Sequence, residues 1–521
     1  MPGMAEAGPD MCAEKKLDPL ENSAYEAVIG LEVHVQLNTS TKMFCRCENK
    51  FGAEPNTNVC PVCLGWPGAL PYANRQAIEQ SLRAVLACGC EVGEFTKFDR
   101  KNYYYPDLPK GYQISQYDQP LGLGGRVEFF LEGERAGVRL TRIHLEEDAG
   151  KNTHVGGRPV SFVDLNRAGT PLLEIVTEPD ISSAAQAGAF LRNLRLIMLY
   201  LGVSDCNMEE GSLRCDVNIS IRPKGAEHLE TRSEIKNLNS FNFIEKALNY
   251  EIARQIELKE RGEEVVQETR LYDPDRDETR SMRGKEAEHD YRYFPEPDLT
   301  PVTFAPGQLE EIRSELPELP IDRLQRYTGE LELEEYPADL LVRDHEAAVF
   351  FDSCVKIYPQ ARSVANWILN SLKEEANSRK VGISSLGLEP GRFVDLVKAV
   401  DDGIVSSQKA RDVLKPMMET DKSVAEIISE LGLEQISDDS MLREQVEKVL
   451  AEHPGPVEDV RAGKKNSVNF LVGQVMKETR GKANPGKVAG IIGEILSAGS
   501  PGTRPGAFSG GSRDRIADFL G

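Results

Sequence analysis

The chain reads Ile29-Gly-Leu-Glu-Val-His-Val-Gln-Leu37 near its start, with an apolar residue at every second position. Such a period of two is typical of a β-strand whose side chains alternate between a core and the opposite face. The same alternation returns in Asp216-Val-Asn-Ile-Ser-Ile-Arg222. Both segments therefore predict strands with one apolar face and one face of chemically active side chains.

The pattern around these strands predicts an α+β fold. From residue 25 to about residue 300, short alternating runs are separated by Gly, Pro and Asn, as is typical of antiparallel sheet. Helices are predicted at about residues 74–87, 184–201 and 240–261, the last two from apolar spacings of three and four. After the proline-rich residues 294–301 the runs are helical. We thus expect an antiparallel-sheet-rich domain followed by an all-α helical domain and a small helical tail.

The expected boundaries divide the chain into five segments. They are a disordered leader (1–24), the sheet-rich domain (25–300), the helical domain (301–432), the tail domain (433–499) and a flexible extension (500–521). The leader is acidic and lacks the apolar core of a secretory signal, and no apolar run approaches the roughly 20 residues that span a bilayer. We therefore expect a cytoplasmic protein with no membrane partner.

Charge is distributed unevenly along the chain. The 62 Lys and Arg residues and 84 Asp and Glu residues give a net charge of −22, which alone argues against nucleic acid as a partner. Residues 461–490, however, hold seven basic residues and one acid, and phosphate contacts depend on local charge. The alternative for this stretch is a solvated basic helix face. The candidates for phosphate contact are Lys464, Lys465, Lys477, Arg480 and Lys482.

The cysteine spacing predicts a structural zinc site. Cys45 and Cys47 form one close pair, and Cys60 and Cys63 form another after a spacer of twelve residues. Two short chelating pairs joined by a loop suit a tetrahedral Zn²⁺ with four thiolates, which leaves no open position for catalysis. The alternative is four reduced, unliganded thiols.

Acidic side chains and one histidine lie on otherwise apolar strands. Ionised carboxylates that converge with an imidazole would favour Mg²⁺ or Mn²⁺, with substrate phosphates completing the octahedron. The alternative is that each acid simply faces solvent. The acids and the histidine are Glu32, His34, Glu146, Glu147, Asp148, Asp216 and Glu234.

Several common catalytic motifs are missing from the sequence. It contains no P-loop G-x-x-x-x-G-K-[ST], no G-x-S-x-G elbow, and no kinase H-R-D or D-F-G set. Any nucleotide is therefore held in another way.

Several longer motifs stand out along the chain. Two of them read His144-Leu-Glu-Glu-Asp-Ala-Gly150 and Met208-Glu-Glu-Gly-Ser-Leu-Arg-Cys-Asp216. Further motifs lie at residues 28–37, 97–106, 166–171, 236–240 and 290–298, and two more lie at residues 469–474 and 483–486. Together they resemble the motifs of a known family, the B subunits of the GatCAB-type tRNA-dependent amidotransferases, and the last two resemble the YqeY-like tail of that family. The resemblance covers about residues 25–498.

The resemblance implies a cradle-shaped catalytic domain, a helical domain and a YqeY-like tail that contacts tRNA. It also implies ATP-dependent amidation of misacylated Glu-tRNA(Gln), Asp-tRNA(Asn) or both, through phosphorylation of the side-chain carboxylate. Ammonia would come from glutamine hydrolysed by the amidase-type GatA subunit, with the small GatC subunit completing a heterotrimer. Consistent with this, the chain shows no recognisable glutaminase nucleophile set.

The resemblance also assigns roles to particular residues. Arg214 and Lys236 are candidates to hold phosphate or the acyl group, and the alternative for them is ion pairing with nearby acids. His34 is unusual among Mg²⁺ ligands, and its alternative role is to orient substrate. Glu146 and Asp148 drop out of the site. The catalytic metal ligands implied by the family are Glu32, His34, Glu147, Asp216 and Glu234.

Two other interpretations remain open from the sequence. One is a tRNA-binding scaffold whose acids are structural, and the other is a stand-alone metal-dependent phosphotransferase that acts on a small acid without tRNA.

Overall fold

A computed structural model of the chain describes residues 19–154, 160–282, 290–435, 439–461, 464–479 and 482–498. Most of the expected leader and all of the expected extension at 500–521 lie outside these residues. The chain divides into two compact units, Met1–Leu331 and Glu332–Gly521. The first unit extends past the break expected at residue 300, whereas the division expected at residues 432 and 433 stays a prediction.

The first unit contains the strands of the described chain. Those up to the middle of the unit are β1 (Tyr25–Gln36), β2 (Phe95–Thr96), β3 (Asp99–Asn102), β4 (Tyr112–Ser115), β5 (Gly122–Leu123), β6 (Arg126–Leu131), β7 (Glu134–Glu147), β8 (Lys151–His154), β9 (Ser161–Asp164) and β10 (Pro171–Thr177). The others are β11 (Leu213–Pro223), β12 (Ser233–Lys236), β13 (Glu268–Asp273), β14 (Glu278–Ser281), β15 (Phe294–Pro295) and β16 (Val302–Thr303).

Within the described residues, nine strands form one large sheet in the order β14-β13-β12-β11-β1-β10-β7-β5, with β6 paired to β7. Neighbouring strands are antiparallel except β12 and β13, which are parallel. Strand β1 lies between β10 and β11, far from either edge. The alternating segment at residues 29–37 is thus at the centre of the sheet.

The apolar face of the sheet supplies the core of the first unit. Ile29, Val33 and Ile219 are fully buried in the same cluster as Leu194 and Leu248, which lie on two helices that cover this face. Burying such side chains stabilises the fold by roughly 1.5–3 kcal/mol each. The helices of this unit are α1 (Arg75–Ala87), α2 (Ala184–Tyr200), α3 (Phe241–Glu260), α4 (Gln308–Ser314) and α5 (Pro320–Gly329).

The three helices predicted from the sequence are confirmed as α1, α2 and α3. Each begins after a polar residue whose side chain accepts a hydrogen bond from a backbone N–H of the first turn. These N-cap residues are Asn74, Ser183 and Ser240. Capping satisfies a donor that the helix itself leaves unpaired, which fixes where the helix starts.

The second unit is helical throughout its described residues. Its elements are α6 (Glu335–Val342), α7 (His345–Ile357), α8 (Ala361–Trp367), a π-helical turn (Ile368–Leu372), α9 (Lys373–Arg379), a 3₁₀ turn (Ile383–Leu386), α10 (Pro390–Asp401), α11 (Ser407–Glu419), α12 (Val424–Glu430), α13 (Asp439–Glu452), α14 (Pro454–Arg461), α15 (Lys465–Glu478) and α16 (Pro485–Ala498). Helices α13, α15 and α16 share a buried cluster that includes Leu442, Leu471, Val475 and Ile492, and α14 packs partly buried valines against it.

The predicted order of an antiparallel-rich sheet with helices followed by a helical part is confirmed. The cradle shape and the YqeY-like character of the tail stay predictions. Among the described helices, none combines the length and the apolarity that crossing a membrane requires.

Candidate active site

The face of the large sheet opposite the core carries a row of polar side chains. Antiparallel pairing sets Glu32 of β1 opposite Asp216 of β11, and sets His34 of β1 opposite Glu174 of β10. Glu174 in turn pairs with His144 of β7. Side chains opposite one another on a shared face have Cβ atoms about 4.5–5.5 Å apart. The register therefore places acids and histidines from four strands side by side.

Two imidazoles flank the carboxylate of Glu174. The Nε2 atom of His34 lies 3.4 Å from Glu174 Oε2, and the Nε2 atom of His144 lies 3.3 Å from the same oxygen. His144 Nε2 is also 3.5 Å from Glu146 Oε2, and His34 Nε2 is 3.6 Å from Glu32 Oε1. The alternating acids and imidazoles form a continuous chain across β1, β10 and β7.

The charges in this chain are coupled. Burial lowers the pKa of His144, but the carboxylates of Glu174 and Glu146 outweigh it and raise that pKa to about 9. His34 likewise has a raised pKa, because Glu174 outweighs the effect of burial. Burial and the neighbouring Glu174 carboxylate raise the pKa of Glu32. Full ionisation of Glu32 would therefore be favoured by an added positive charge.

Two sets of ligand atoms in this region are close enough together to hold one metal ion. One set is Glu32, His34 and Asp216, and the other is His34, Glu146 and Glu174, with all ligand atoms of a set within 4.8 Å of one another. Carboxylate oxygens are the ligands that Mg²⁺ and Mn²⁺ prefer. The donor types present thus fit a hard divalent cation, with one imidazole nitrogen in each set.

A lysine joins the acids at the β12 side of the row. Lys236 Nζ lies 2.9 Å from Asp216 Oδ2 and 2.9 Å from Glu234 Oε1. The second oxygen of Glu234 accepts a hydrogen bond of 2.8 Å from Thr269 Oγ1. Burial lowers the pKa of Lys236, but Asp216 and Glu234 outweigh it and raise that pKa. The ammonium ion therefore stays charged beside the acids.

Two predicted residues make contacts away from the two sets. Glu147 accepts hydrogen bonds from Lys110 Nζ and from the backbone N–H of Ile114. Arg214 donates a 2.7 Å hydrogen bond to Asp148, while its buried Nε atom has no hydrogen-bond partner within the described part of the chain. The structure thus brings Glu32, His34 and Asp216 together. Glu234 lies beside this set, because Glu234 and Asp216 both contact Lys236. Glu147 instead contacts Lys110. A metal-binding role for Glu147 stays a prediction.

Two residues of this face, Glu174 and His144, were not predicted from the sequence, and Glu146 was excluded. His144 and Glu146 alternate with the buried Ile143 and Leu145, so the period of two already assigned both to the polar face. Glu174 is a lone acid on an otherwise apolar strand, and a buried acid in such a setting is itself a signal of a functional site.

The four cysteines predicted to bind zinc lie together. Their sulfur atoms are all within 4.8 Å of one another, and the Cys60 and Cys63 sulfurs are 3.8 Å apart. That distance matches the edge of a tetrahedron with Zn–S bonds of about 2.3 Å. A hydrogen bond from the Cys45 thiol, helped by the nearby Lys42 ammonium, lowers the pKa of Cys63 against the opposing effect of burial. The donor set fits Zn²⁺, and zinc itself stays a prediction.

The predicted tRNA-contacting lysines lie near the ends of α14, α15 and α16. Lys464, Lys477 and Lys482 are exposed, and Lys464 Nζ lies 2.8 Å from Asp459 Oδ1. Arg480 and the side chain of Lys465 lie outside the described residues. Exposure leaves the three described lysines accessible to phosphate, and that role stays a prediction.

Comparison with known proteins places the chain in a family. The sequence profile of the GatB/GatE catalytic domain matches residues 27–310, and that of the GatB domain matches residues 349–496. A protein of Persephonella marina, which is named as the B subunit of an aspartyl/glutamyl-tRNA(Asn/Gln) amidotransferase, is 53% identical over 473 residues, which cover 91% of this chain and 99% of that protein. Two further proteins carry the same name. The protein of Moorella thermoacetica is 50% identical over 91% of this chain and 100% of its own length. The protein of Anaeromyxobacter is 51% identical over 90% of this chain and 98% of its own length. The chain therefore belongs to the GatB/GatE family.

Proposed function

We propose that this chain is the carboxylate-activating subunit of an ATP-dependent tRNA amidotransferase. Its substrate would be glutamate or aspartate esterified to tRNA(Gln) or tRNA(Asn), as the name shared by its relatives says of them. The observation that carries the proposal is the position of Glu32, His34 and Asp216 on one sheet face with ligand atoms within 4.8 Å of one another. That face lies inside the region that matches the catalytic domain of the family.

The reaction has two steps that this chain would serve. A carboxylate oxygen of the substrate attacks the γ-phosphorus of ATP, which forms an acyl phosphate and releases ADP. Ammonia then attacks the acyl carbon and expels inorganic phosphate, which leaves the amide after loss of a proton. The first step is needed because a free carboxylate is negatively charged and has no good leaving group.

The acidic row has a consequence for this chemistry. Both the substrate carboxylate and the phosphates of ATP are anions, and they would be repelled by Glu32, Asp216 and Glu234 in the absence of added positive charge. Mg²⁺ or Mn²⁺ held by the acids would supply that charge and neutralise the transferring phosphoryl group. We propose that Glu32, His34 and Asp216 would hold it, with Glu147 and Glu234 as the further ligands that the family resemblance implies.

Two basic side chains would position the anions. Lys236 lies beside Asp216 and Glu234 at 2.9 Å, so it remains charged at the edge of the acids. Arg214 pairs with Asp148 through Nη2 and keeps its buried Nε donor. We assign Lys236 to phosphate and Arg214 to the acyl group or its phosphate, because a guanidinium can bind a second anion through the donors it has left.

The remaining parts of the proposal concern partners. Ammonia would be delivered by the amidase-type GatA subunit in a complex with the small GatC subunit, since this chain lacks a glutaminase nucleophile set. The exposed Lys464, Lys477 and Lys482 would contact tRNA phosphates. Zn²⁺ on the four cysteines would hold the 45–63 loop in place without taking part in the chemistry.

The test uses the assembled complex with misacylated Glu-tRNA(Gln) and Asp-tRNA(Asn), ATP and ammonium chloride as nitrogen source. Asp216→Asn should abolish amide formation even with free ammonia, because it removes a carboxylate from the activating site. Glu134→Gln, at the exposed start of β7, is the matched control and should retain wild-type rates. Wild-type amidation by Asp216→Asn would instead favour a tRNA-binding scaffold. ATP hydrolysis on free glutamate without tRNA would favour a stand-alone phosphotransferase.

A further inference from the structure

Lys42 is fully buried, with 0% of its surface exposed. It lies just before Cys45 in the chain, at the start of the four-cysteine cluster. Its Nζ atom donates a 2.9 Å hydrogen bond to the backbone oxygen of Asn58 and lies 3.9 Å from the Sγ atom of Cys63. Lysine is almost never fully buried unless it is paired, so this burial points to a negatively charged partner.

The partner of Lys42 is not a carboxylate. In the part of the chain that the structure describes, Lys42 forms no ion pair with an Asp or a Glu, and its Nζ atom contacts the Asn58 oxygen and the Cys63 sulfur. The buried Lys110, by contrast, pairs with Glu147. An ammonium ion buried without a counter-ion is strongly unfavourable. The neighbouring group that can carry a compensating negative charge is therefore the sulfur of Cys63.

The four-cysteine cluster has negative charge to offset once zinc is bound. Four thiolates around one Zn²⁺ leave an excess of about two negative charges. Cys63 is itself buried, at 4% exposure, so water and salt screen its charge only weakly. A fixed ammonium ion 3.9 Å from this sulfur therefore acts on the site more strongly than Lys50, which is exposed in the same loop.

Three contacts hold the ammonium ion in position. The backbone N–H of Lys42 donates a 2.9 Å hydrogen bond to the carbonyl of Cys47, so the same residue contacts both cysteine pairs. The backbone N–H of Asn58 donates a 2.8 Å hydrogen bond to Asn166 Oδ1, which fixes the carbonyl that accepts from Nζ. The aliphatic stem lies beside Gly169, where a Cβ atom would come within 3.5 Å of Lys42 Cδ. The surroundings thus direct the charge at the second cysteine pair.

We propose that the Lys42 ammonium ion is the buried counter-charge of the four-thiolate zinc site, where it stabilises the bound Cys63 thiolate and so strengthens zinc binding. The inference rests on the zinc site of the proposed function and adds a residue that acts through a ligand rather than as one. Partners that contact metal ligands in this way typically contribute about 10- to 100-fold to metal affinity.

The experiment compares two neutral substitutions of Lys42 in the assembled complex. Lys42→Met keeps the length and the apolar stem of the side chain, and Lys42→Gln keeps an N–H donor for the Asn58 carbonyl, but neither carries a charge. Lys50→Met, at the exposed position in the same loop, is the matched control. Zinc affinity is measured by competition with a chromophoric chelator, the absorption spectrum is recorded after replacement of zinc by Co²⁺, and circular dichroism checks the fold.

Both Lys42 variants should bind zinc about 10- to 100-fold more weakly than the wild type, and Lys50→Met should match the wild type. The thiolate-to-cobalt charge-transfer band should also move to longer wavelength in the Lys42 variants, because the positive charge no longer stabilises the sulfur lone pairs. A role in packing alone would leave that band in place.

Wild-type zinc affinity in either Lys42 variant that folds would overturn the proposal, so one folded variant is enough to decide. Weaker zinc binding with an unmoved cobalt band would overturn it as well, because packing would then account for the loss. A wild-type complex that binds no zinc would overturn both this role and the zinc site, and that result alone counts against the proposed function.

Discussion

The Nε2 atom of His34 lies 3.4 Å from the Oε2 atom of Glu174 on the neighbouring strand. Glu174 is 4% exposed and is also 3.3 Å from His144, so one buried carboxylate contacts two imidazoles. Although burial alone would raise the pKa of Glu174, the two histidines lower it well below its ordinary value. Glu174 therefore remains ionised and orients both rings.

The first prediction concerns this carboxylate. Glu174→Gln should lower the amidation rate of the assembled complex by about 10- to 100-fold, because partners that orient a site histidine typically contribute that much. It should also lower the pKa of His34, which can be followed by NMR of the imidazole C–H signals. Glu134→Gln, at the exposed start of β7, is the control for loss of a carboxylate. A wild-type rate in Glu174→Gln would show that the His34 orientation does not depend on it.

The second prediction distinguishes the effect of replacing Glu147 on stability from the effect of replacing Asp216 on activity. Glu147 is 3% exposed and pairs with the buried Lys110 side chain, so Glu147→Gln leaves a buried ammonium without its counter-ion. This should lower the free energy of unfolding by about 3–5 kcal/mol. Asp216→Asn leaves Lys236 paired with Glu234, so it should abolish activity with little change in stability. Thermal unfolding of both variants is the measurement, and equal melting temperatures would contradict this difference.

The outcome at Glu146 and Glu147 shows how far the sequence predicts this site. The alternation from Arg142 to Leu145 assigns His144 to the polar face and extends to Glu146, and the structure agrees. Choosing Glu147 instead depended on the family resemblance, and in the structure that side chain contacts Lys110. Two consecutive acids at the end of one strand thus face different surroundings, and a metal-binding role for Glu147 stays a prediction.

Glu174 shows what the sequence could not predict. Strand β10 pairs with β1 although the two are well over a hundred residues apart in the chain, and nothing local to Leu172-Leu-Glu-Ile175 indicates that partner. Periodicity assigns a residue to a face, but the order of strands in a sheet arises from long-range packing. The same limit applies to a cavity on this sheet face, which is lined by β1, β10, β11 and residues 229–232. The helices and the cysteine cluster needed only local spacing, and these were predicted.

The third prediction tests the cysteine cluster. Purified wild-type protein should contain about one equivalent of zinc, and Cys60→Ser should lose it, because three remaining thiolates cannot close a structural tetrahedral site. Cys354→Ser, in helix α7, is the matched control and should retain the metal. Metal analysis by mass spectrometry is the measurement. Less than about half an equivalent in the wild type would contradict a zinc site.

The fourth prediction concerns a buried ion network that joins α3 to the sheet. Glu251 is fully buried and accepts hydrogen bonds from Arg254 and Thr279, while Arg270 Nε lies 3.2 Å from it. Burial alone would raise the pKa of Glu251, but Arg254 and its other partners outweigh it and lower that pKa from the ordinary 4.5. Glu251→Gln should thus lower the free energy of unfolding at pH 7 by about 3–5 kcal/mol.

The pH dependence of this effect has a definite sign. Because the folded pKa of Glu251 is depressed, its contribution to stability is present above about pH 4.5 and is lost as the pH falls through the folded pKa. The stability difference between the wild type and Glu251→Gln should therefore narrow below about pH 4.5. Glu257→Gln, on the exposed side of α3, should change stability by less than about 1 kcal/mol. Urea unfolding at pH 7 and pH 4 is the measurement, and a gap that widens in acid would contradict the assignment.

The fifth prediction concerns the basic ends of α14, α15 and α16. Lys464, Lys477 and Lys482 are exposed, and each phosphate contact made by a lysine releases bound counter-ions. Reversing all three to glutamate should weaken binding of tRNA to the complex and lower the slope of log affinity against log salt by about one for each lysine that contacts phosphate. Lys464 already contacts Asp459 at 2.8 Å, so it should contribute less than Lys477 or Lys482. Lys415→Glu, an exposed lysine of α11, is the control for net charge. If that control lowers the slope as much as each tail lysine does, long-range attraction rather than contact at the tail would account for binding.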